Sequence, residues 1–160
     1  MSNLSLGKWI SLLYRYGQIY VTKELEPYNI GKGQILFLLA LYQNDGVLQE
    51  ELAQQINIDK GTTARAIGKL EKAGYVTRKP NEKDLRSNQI FLTPKAQEFK
   101  PHLCSVLRRW TEILSAGMTE EEVEKAFDLL IKMAQNATNH IEKDRTLSRG
   151  ERRNTHETTK

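Results

Sequence analysis

Residues 59–94 read DKGTTARAIGKLEKAGYVTRKPNEKDLRSNQIFLTP, and the order of elements in this stretch decides the fold. Asp59 is an N-cap, because its carboxylate can accept from the unpaired amides of the turn that follows. The helix it opens spans 60–73, and Gly74 is placed to end it. Short strands are expected over 75–79 and 89–93, separated by the polar hairpin tip PNEKDLRSN. Thr93-Pro94 then starts a further helix, with Pro94 in its first position. Residues 60–88 hold eight Lys/Arg against three acids, a surplus of five in a chain whose formal net charge is only +4. Cations gathered on one helix and one hairpin are the footprint of a surface that meets phosphates.

Immediately upstream, LQEELAQQINI (48–58) puts Leu48, Leu52, Ala53 and Ile56 on one helical face and Gln49, Glu50, Gln54 and Gln55 on the other. This short helix, a break and the 60–73 helix form a helix-turn-helix, and the two strands behind it form a wing. Further out, Leu6, Trp9, Ile10, Leu13, Tyr16 and Tyr20 recur at helical spacing over 4–26, a helix stopped by Pro27. Gly31 and Gly33 open the apolar run ILFLLALY, read as a buried second helix ending at the turn signal Asn44-Asp45-Gly46. Downstream, Phe99, Leu103, Val106, Leu107, Trp110 and Leu114 mark a helix to about Ala116. Thr119 and Glu122 form a capping box for the last helix, whose apolar period ends at Ile141. The expected class is mainly α with a small β-wing. The expected domains are a dimerisation helix at 1–28, the winged helix-turn-helix at 29–99, dimerisation helices at 100–143 and a flexible tail at 144–160.

On a wheel at about 100° per residue, Thr63, Ala66, Ile67, Leu70, Ala73 and Gly74 share the inner side of the 60–73 helix. Gly61, Ala64, Arg65, Gly68 and Lys72 lie opposite, flanked by Thr62 and Lys69. Small residues around long cations suit a helix that enters a major groove, where the surface must be trimmed while cationic arms reach guanine edges or phosphates. The wing tip offers Lys83 and Arg86 to the adjacent minor groove. Asp84 is the odd residue there. Paired with Arg65 or Arg86 it would orient a guanidinium; unpaired it is a turn former.

Thr62, Arg65, the Leu70-Glu71-Lys72-x-Gly74 block, Arg78, Asp84-x-Arg86-Ser87 and Leu92-Thr93-Pro94-Lys95 together resemble the winged helix of MarR-type transcriptional regulators, and the likeness extends over about 4–142. The resemblance implies a homodimer with interlocked N- and C-terminal helices, bound to a pseudo-palindromic operator and usually repressing nearby genes. It also implies release by a small, often phenolic, molecule or by oxidation of a cysteine. The residues assigned to DNA contact are Lys60, Gly61, Thr62, Ala64, Arg65, Lys69, Arg78, Lys83, Arg86 and Ser87, with Asp84 orienting the wing. Two departures stand out. The wing reads Asp-Leu-Arg where the family more often has Asp-Arg-Arg, and the 60–73 helix carries Thr63, Ala66 and Gly68 where bulkier or charged residues are common.

A dimer also follows from the chain, because the 29–99 region is too small to cover the apolar faces of the first, fifth and sixth helices. Trp9, Tyr16 and Tyr20 are the candidate effector contacts, although aromatics at helical spacing more often serve the core or an interface. Cys104, the only cysteine, is expected to be a buried inert thiol; a redox switch built on it is the competing reading. His102, His140 and His156 have no zinc spacing, and no cofactor or metal is assigned. Neither a phosphate loop nor paired catalytic carboxylates nor a nucleophile elbow is visible, which argues against an enzyme. The N-terminus does not look like a secretory signal, no apolar run is long enough to span a bilayer, and a cytoplasmic location is expected. The alternative function is a winged-helix module that binds protein and not DNA.

Overall fold

The computed structural model describes residues 5–82 and 84–157, with Leu85 and residues 143–157 described by their backbone alone. The order is α1 (Leu6–Leu25), a single 3-10 turn at Glu26–Tyr28, α2 (Ile35–Gln43), β1 (Val47–Leu48), α3 (Gln49–Gln55), α4 (Lys60–Lys72), β2 (Val76–Asn81), β3 (Asp84–Leu92), α5 (Pro94–Leu114) and α6 (Glu120–Glu157). Two compact units result, one through Leu114 and one from Ser115 onward.

In the first unit, α2 is the centre of the core. Phe37, Leu38 and Leu41 are fully buried with Leu25, Ile30, Leu52, Ile67, Leu70, Ile90 and Leu103 around them. Each such side chain contributes on the order of 1.5–3 kcal/mol by leaving water. The three strands form one antiparallel sheet in the order β1-β3-β2. Val76 pairs with Leu92 and Arg78 with Ile90, up to a register break between Pro80 and Asn81.

Helix ends follow their caps. Asp59 Oδ1 accepts from the Thr62 amide at 2.8 Å and starts α4. Asn57, with φ 54°, turns the chain between α3 and α4, and Gly74, with φ 83°, turns it out of α4 toward β2. The Thr119 hydroxyl and Glu122 carboxylate exchange the two bonds of the capping box at 3.2 and 2.8 Å.

The structure corrects four boundaries. Leu48, expected on the apolar face of α3, lies in β1, whose two residues pair with Ile90 and Gln89 of β3. The wing strands, Val76–Asn81 and Asp84–Leu92, are longer than 75–79 and 89–93, because a hydrogen-bonded ribbon that reaches into water needs no apolar alternation. The fifth helix stops at Leu114, two residues before the expected end. Finally, the tail expected from Asp144 is backbone helix as far as Glu157. Once a helix is nucleated each further residue adds a hydrogen bond, and no proline interrupts this stretch.

Candidate nucleic-acid interface

α4 is held by the side that the wheel assigned to the core. Thr63, Ala66, Ile67 and Leu70 are buried, while Gly61, Arg65, Lys69 and Lys72 are exposed. At its N-terminus, Asp59, Thr62 and Arg65 form one network. Arg65 Nη2 donates to Thr62 Oγ1 at 2.8 Å, one helical turn back. A Cβ on residue 61 would lie 3.3 Å from Asp59 Oδ1 and 3.7 Å from Arg65 Nη1, so glycine leaves the guanidinium room to lie over the helix end. The Asp59 carboxyl is held below its usual range by the Thr62 amide first, then by the Thr62 hydroxyl and the positive charge of Arg65. Arg65 is thus an exposed cation whose fork already has an orientation.

The remaining candidates differ in what they can offer. Lys60 Nζ is 2.6 Å from Glu50 Oε1, an exposed ion pair that ties the start of α4 to α3. Lys69 and Arg86 are exposed, and Thr62 and Ala64 are half-buried beside Arg65. Arg78 is committed to α4: Nη2 donates to the Ala64 carbonyl at 3.0 Å and Nη1 lies 3.4 Å from Glu71 Oε2. In the wing, the Asp84 carboxylate accepts from the Arg86 backbone amide at 3.0 Å, and Ser87 Oγ donates to the Asp84 carbonyl at 2.8 Å. The expected pairing of Asp84 with a guanidinium is therefore replaced by a turn bond. The reason is distance along the chain: a carboxylate two residues before an amide closes a tight turn with no long side chain to order. Lys83 lies outside the described residues.

Glu50 and Glu71, the acids that engage Lys60 and Arg78, were missed by sequence reasoning. They stand ten and seven residues away in neighbouring elements, where no local period connects them. The aromatic candidates are not gathered into one place: Trp9 and Tyr16 are exposed, whereas the Tyr20 ring stacks on Trp110 at 5.2 Å. Cys104 is exposed, against the expectation of a buried thiol. Ala96, Phe99, Leu103 and Val106 define the buried stripe of α5, and the residue after Leu103 is rotated about 100° off it.

In sequence and in fold, this helix-turn-helix and wing match proteins already known. The MarR family model matches residues 31–87. The uncharacterized HTH-type transcriptional regulator YybA of Bacillus subtilis (strain 168) is 36% identical over 121 residues, covering 76% of this chain and 78% of YybA. A MarR transcriptional regulator from Methanosarcina mazei Go1 is 46% identical and superposes with a TM-score of 0.81 over 84% of this chain and 96% of its own. The chain belongs to the MarR family. It is a transcriptional regulator of the MarR type with the winged-helix fold of that family. A further MarR-type neighbour, from Listeria monocytogenes, was solved in complex with a 26mer DNA; it is 29% identical, with a TM-score of 0.75 over 82% of this chain and 88% of its own. Within the MarR fold, α4 is the second helix of the helix-turn-helix and β2–β3 is the wing.

Proposed function

We propose that this regulator is a cytoplasmic homodimer that binds a pseudo-palindromic operator and represses transcription until a small molecule or a redox signal releases it. The observation that carries the DNA-binding part is the Asp59–Thr62–Arg65 network, which presents an oriented guanidinium at the N-terminal end of the recognition helix. A bidentate fork is the side chain best suited to the O6/N7 edge of guanine, and prior orientation lowers the entropy lost on binding. Lys69 and, on the wing, Lys83 and Arg86 supply phosphate or minor-groove contacts.

The homodimer is supported by apolar side chains that α1 and α6 each leave in water, among them Trp9, Leu13 and Ile19 on α1 and Phe127, Leu130 and Ile131 on α6. A C2 dimer covers the same patch on both copies, and it spaces two recognition helices about one DNA turn apart.

The test is a binding experiment over a salt series, with DNA from upstream of the protein's own gene against a scrambled duplex of equal length, backed by selection from random DNA. Selective binding by a dimer is expected, with a selected motif of two inverted half-sites. If neither the upstream DNA nor the random pool yields a sequence preferred over the scrambled duplex, the operator-binding reading fails.

A further inference from the structure

Arg78 has the composition of a DNA contact and the geometry of a strut. It lies in the middle of β2, opposite Ile90 on β3, and its side chain runs back to the recognition helix. Its Nη2 donates to the Ala64 carbonyl at 3.0 Å. Nη1 lies 3.4 Å from Glu71 Oε2, and its backbone amide donates to Glu71 Oε1 at 3.3 Å. Ala64 and Glu71 are seven residues apart, two turns of α4, so the guanidinium together with the Glu71 side chain that meets it links two successive turns of the helix to the strand. Gly68 leaves the lane in which the guanidinium lies: a Cβ there would be 3.5 Å from Arg78 Nη2, and any longer side chain would meet the fork. Arg78 Nε is buried, without a hydrogen-bond partner among the described residues. The charge is thus paired with Glu71, Nη2 is bonded to the Ala64 carbonyl and Nε is enclosed, so the fork is turned toward α4.

We infer that Arg78 is a positioning residue, clamping the wing to the recognition helix so that major-groove and wing contacts meet DNA at a fixed spacing. This inference rests on the operator-binding reading for its consequence but not for its mechanics. A point charge cannot reproduce the clamp, because the planar fork reaches the carbonyl and the carboxylate at once and an ammonium reaches one of them.

The experiment uses the full-length protein with Arg78→Ala, Arg78→Lys and Glu71→Gln, each against a duplex selected by the parent from random DNA and a scrambled duplex, over a salt series. Amide hydrogen exchange of each protein is measured without DNA. For the strut, all three variants exchange the β2–β3 amides faster than the parent. Arg78→Ala and Arg78→Lys both lose selectivity for the selected duplex by roughly ten-fold, a size typical of coupling between structural elements. The slope of log affinity against log salt stays at the parent's value for both.

A phosphate contact gives the opposite pattern: Arg78→Ala lowers that slope by about 1, and Arg78→Lys largely preserves binding. Glu71→Gln adds an independent sign. It removes an acid near DNA, so binding to the scrambled duplex does not weaken, yet selectivity falls if the clamp matters. Selectivity equal to the parent's in Glu71→Gln and Arg78→Ala, or unchanged wing exchange, overturns the inference. If the parent itself selects no sequence, operator binding has failed, and hydrogen exchange still decides whether Arg78 clamps the wing.

Discussion

In α4 the buried residues Thr63, Ala66, Ile67 and Leu70 face a complete core and the exposed ones are Arg65, Lys69 and Lys72, whereas in α1 and α6 it is Trp9, Leu13, Ile19, Phe127, Leu130 and Ile131 that stand in water. The recognition helix buries its apolar side within the chain and turns charge outward. The long helices leave theirs unmet. A charged surface with its core complete fits an anionic partner, and an apolar surface on a helix fits a second copy of the same surface, the two kinds of recognition that the proposed function asks of one chain.

The comparison breaks most visibly if the apolar faces are altered. Leu13→Glu combined with Leu130→Glu places carboxylates where the dimer would bury them. An unpaired buried charge costs about 3–5 kcal/mol, enough to weaken self-association by two orders of magnitude or more. Sedimentation equilibrium should show monomers, circular dichroism an unchanged helix content, and operator binding should collapse. A variant that remains dimeric would mean that association uses another surface.

The charged side is sharpened by Arg65→Ala. Loss of a bidentate base contact should weaken operator binding by about 1–3 kcal/mol, and binding to scrambled DNA by less. Titration of both duplexes checks it. Equal losses on both would reassign Arg65 from a base contact to a phosphate contact.

How far these two surfaces could be read from the sequence depended on the range of the forces involved. Asp59 capping α4 and the Thr119–Glu122 box opening α6 were legible because each acts within a single turn. The buried face of α4 was legible because its period is that of the helix. β1 was not, since two residues become a strand only by pairing with Ile90 and Gln89 some forty positions away. Nor were Glu50 with Lys60 or Glu71 with Arg78, where the partners belong to different elements and only the fold brings them together. As a result, two cations read as DNA contacts prove to be engaged within the chain. The exposure of Cys104 was misread because the preference of cysteine for burial outweighed its place beside the α5 stripe.

Where α5 begins, Tyr42 of α2 donates its hydroxyl to the Ala96 carbonyl. Burial, with smaller effects from Cys104 and Tyr75, pushes the Tyr42 hydroxyl up to about 12. The folded pKa is above the unfolded value of about 10, so this contribution to stability is complete below pH 10 and is lost as pH rises toward 12. Tyr42→Phe should cost about 1 kcal/mol at neutral pH through the lost hydrogen bond. It should also flatten the fall in stability between those two pH values. Denaturant titrations across that range check both; a variant as alkali-sensitive as the parent would place the loss in other groups.

The smallest expected effect isolates the charge of Asp59 from its cap. Asparagine retains an oxygen that can accept from the Thr62 amide, so Asp59→Asn should leave α4 intact at neutral pH. What it removes is the carboxylate that the Thr62 amide and hydroxyl, and then Arg65, hold below the usual range. A depressed folded pKa contributes stability that is present above the unfolded value and lost as pH falls through the folded one. The parent should therefore lose stability more steeply than the variant below about pH 4. On DNA the same substitution removes an acid beside Arg65, so affinity for scrambled DNA should rise slightly while the Arg65–Thr62 bond preserves selectivity. A fall in selectivity would show that the Asp59 charge, and not the Thr62 hydroxyl, orients the guanidinium, which would make the cap of α4 part of its base recognition.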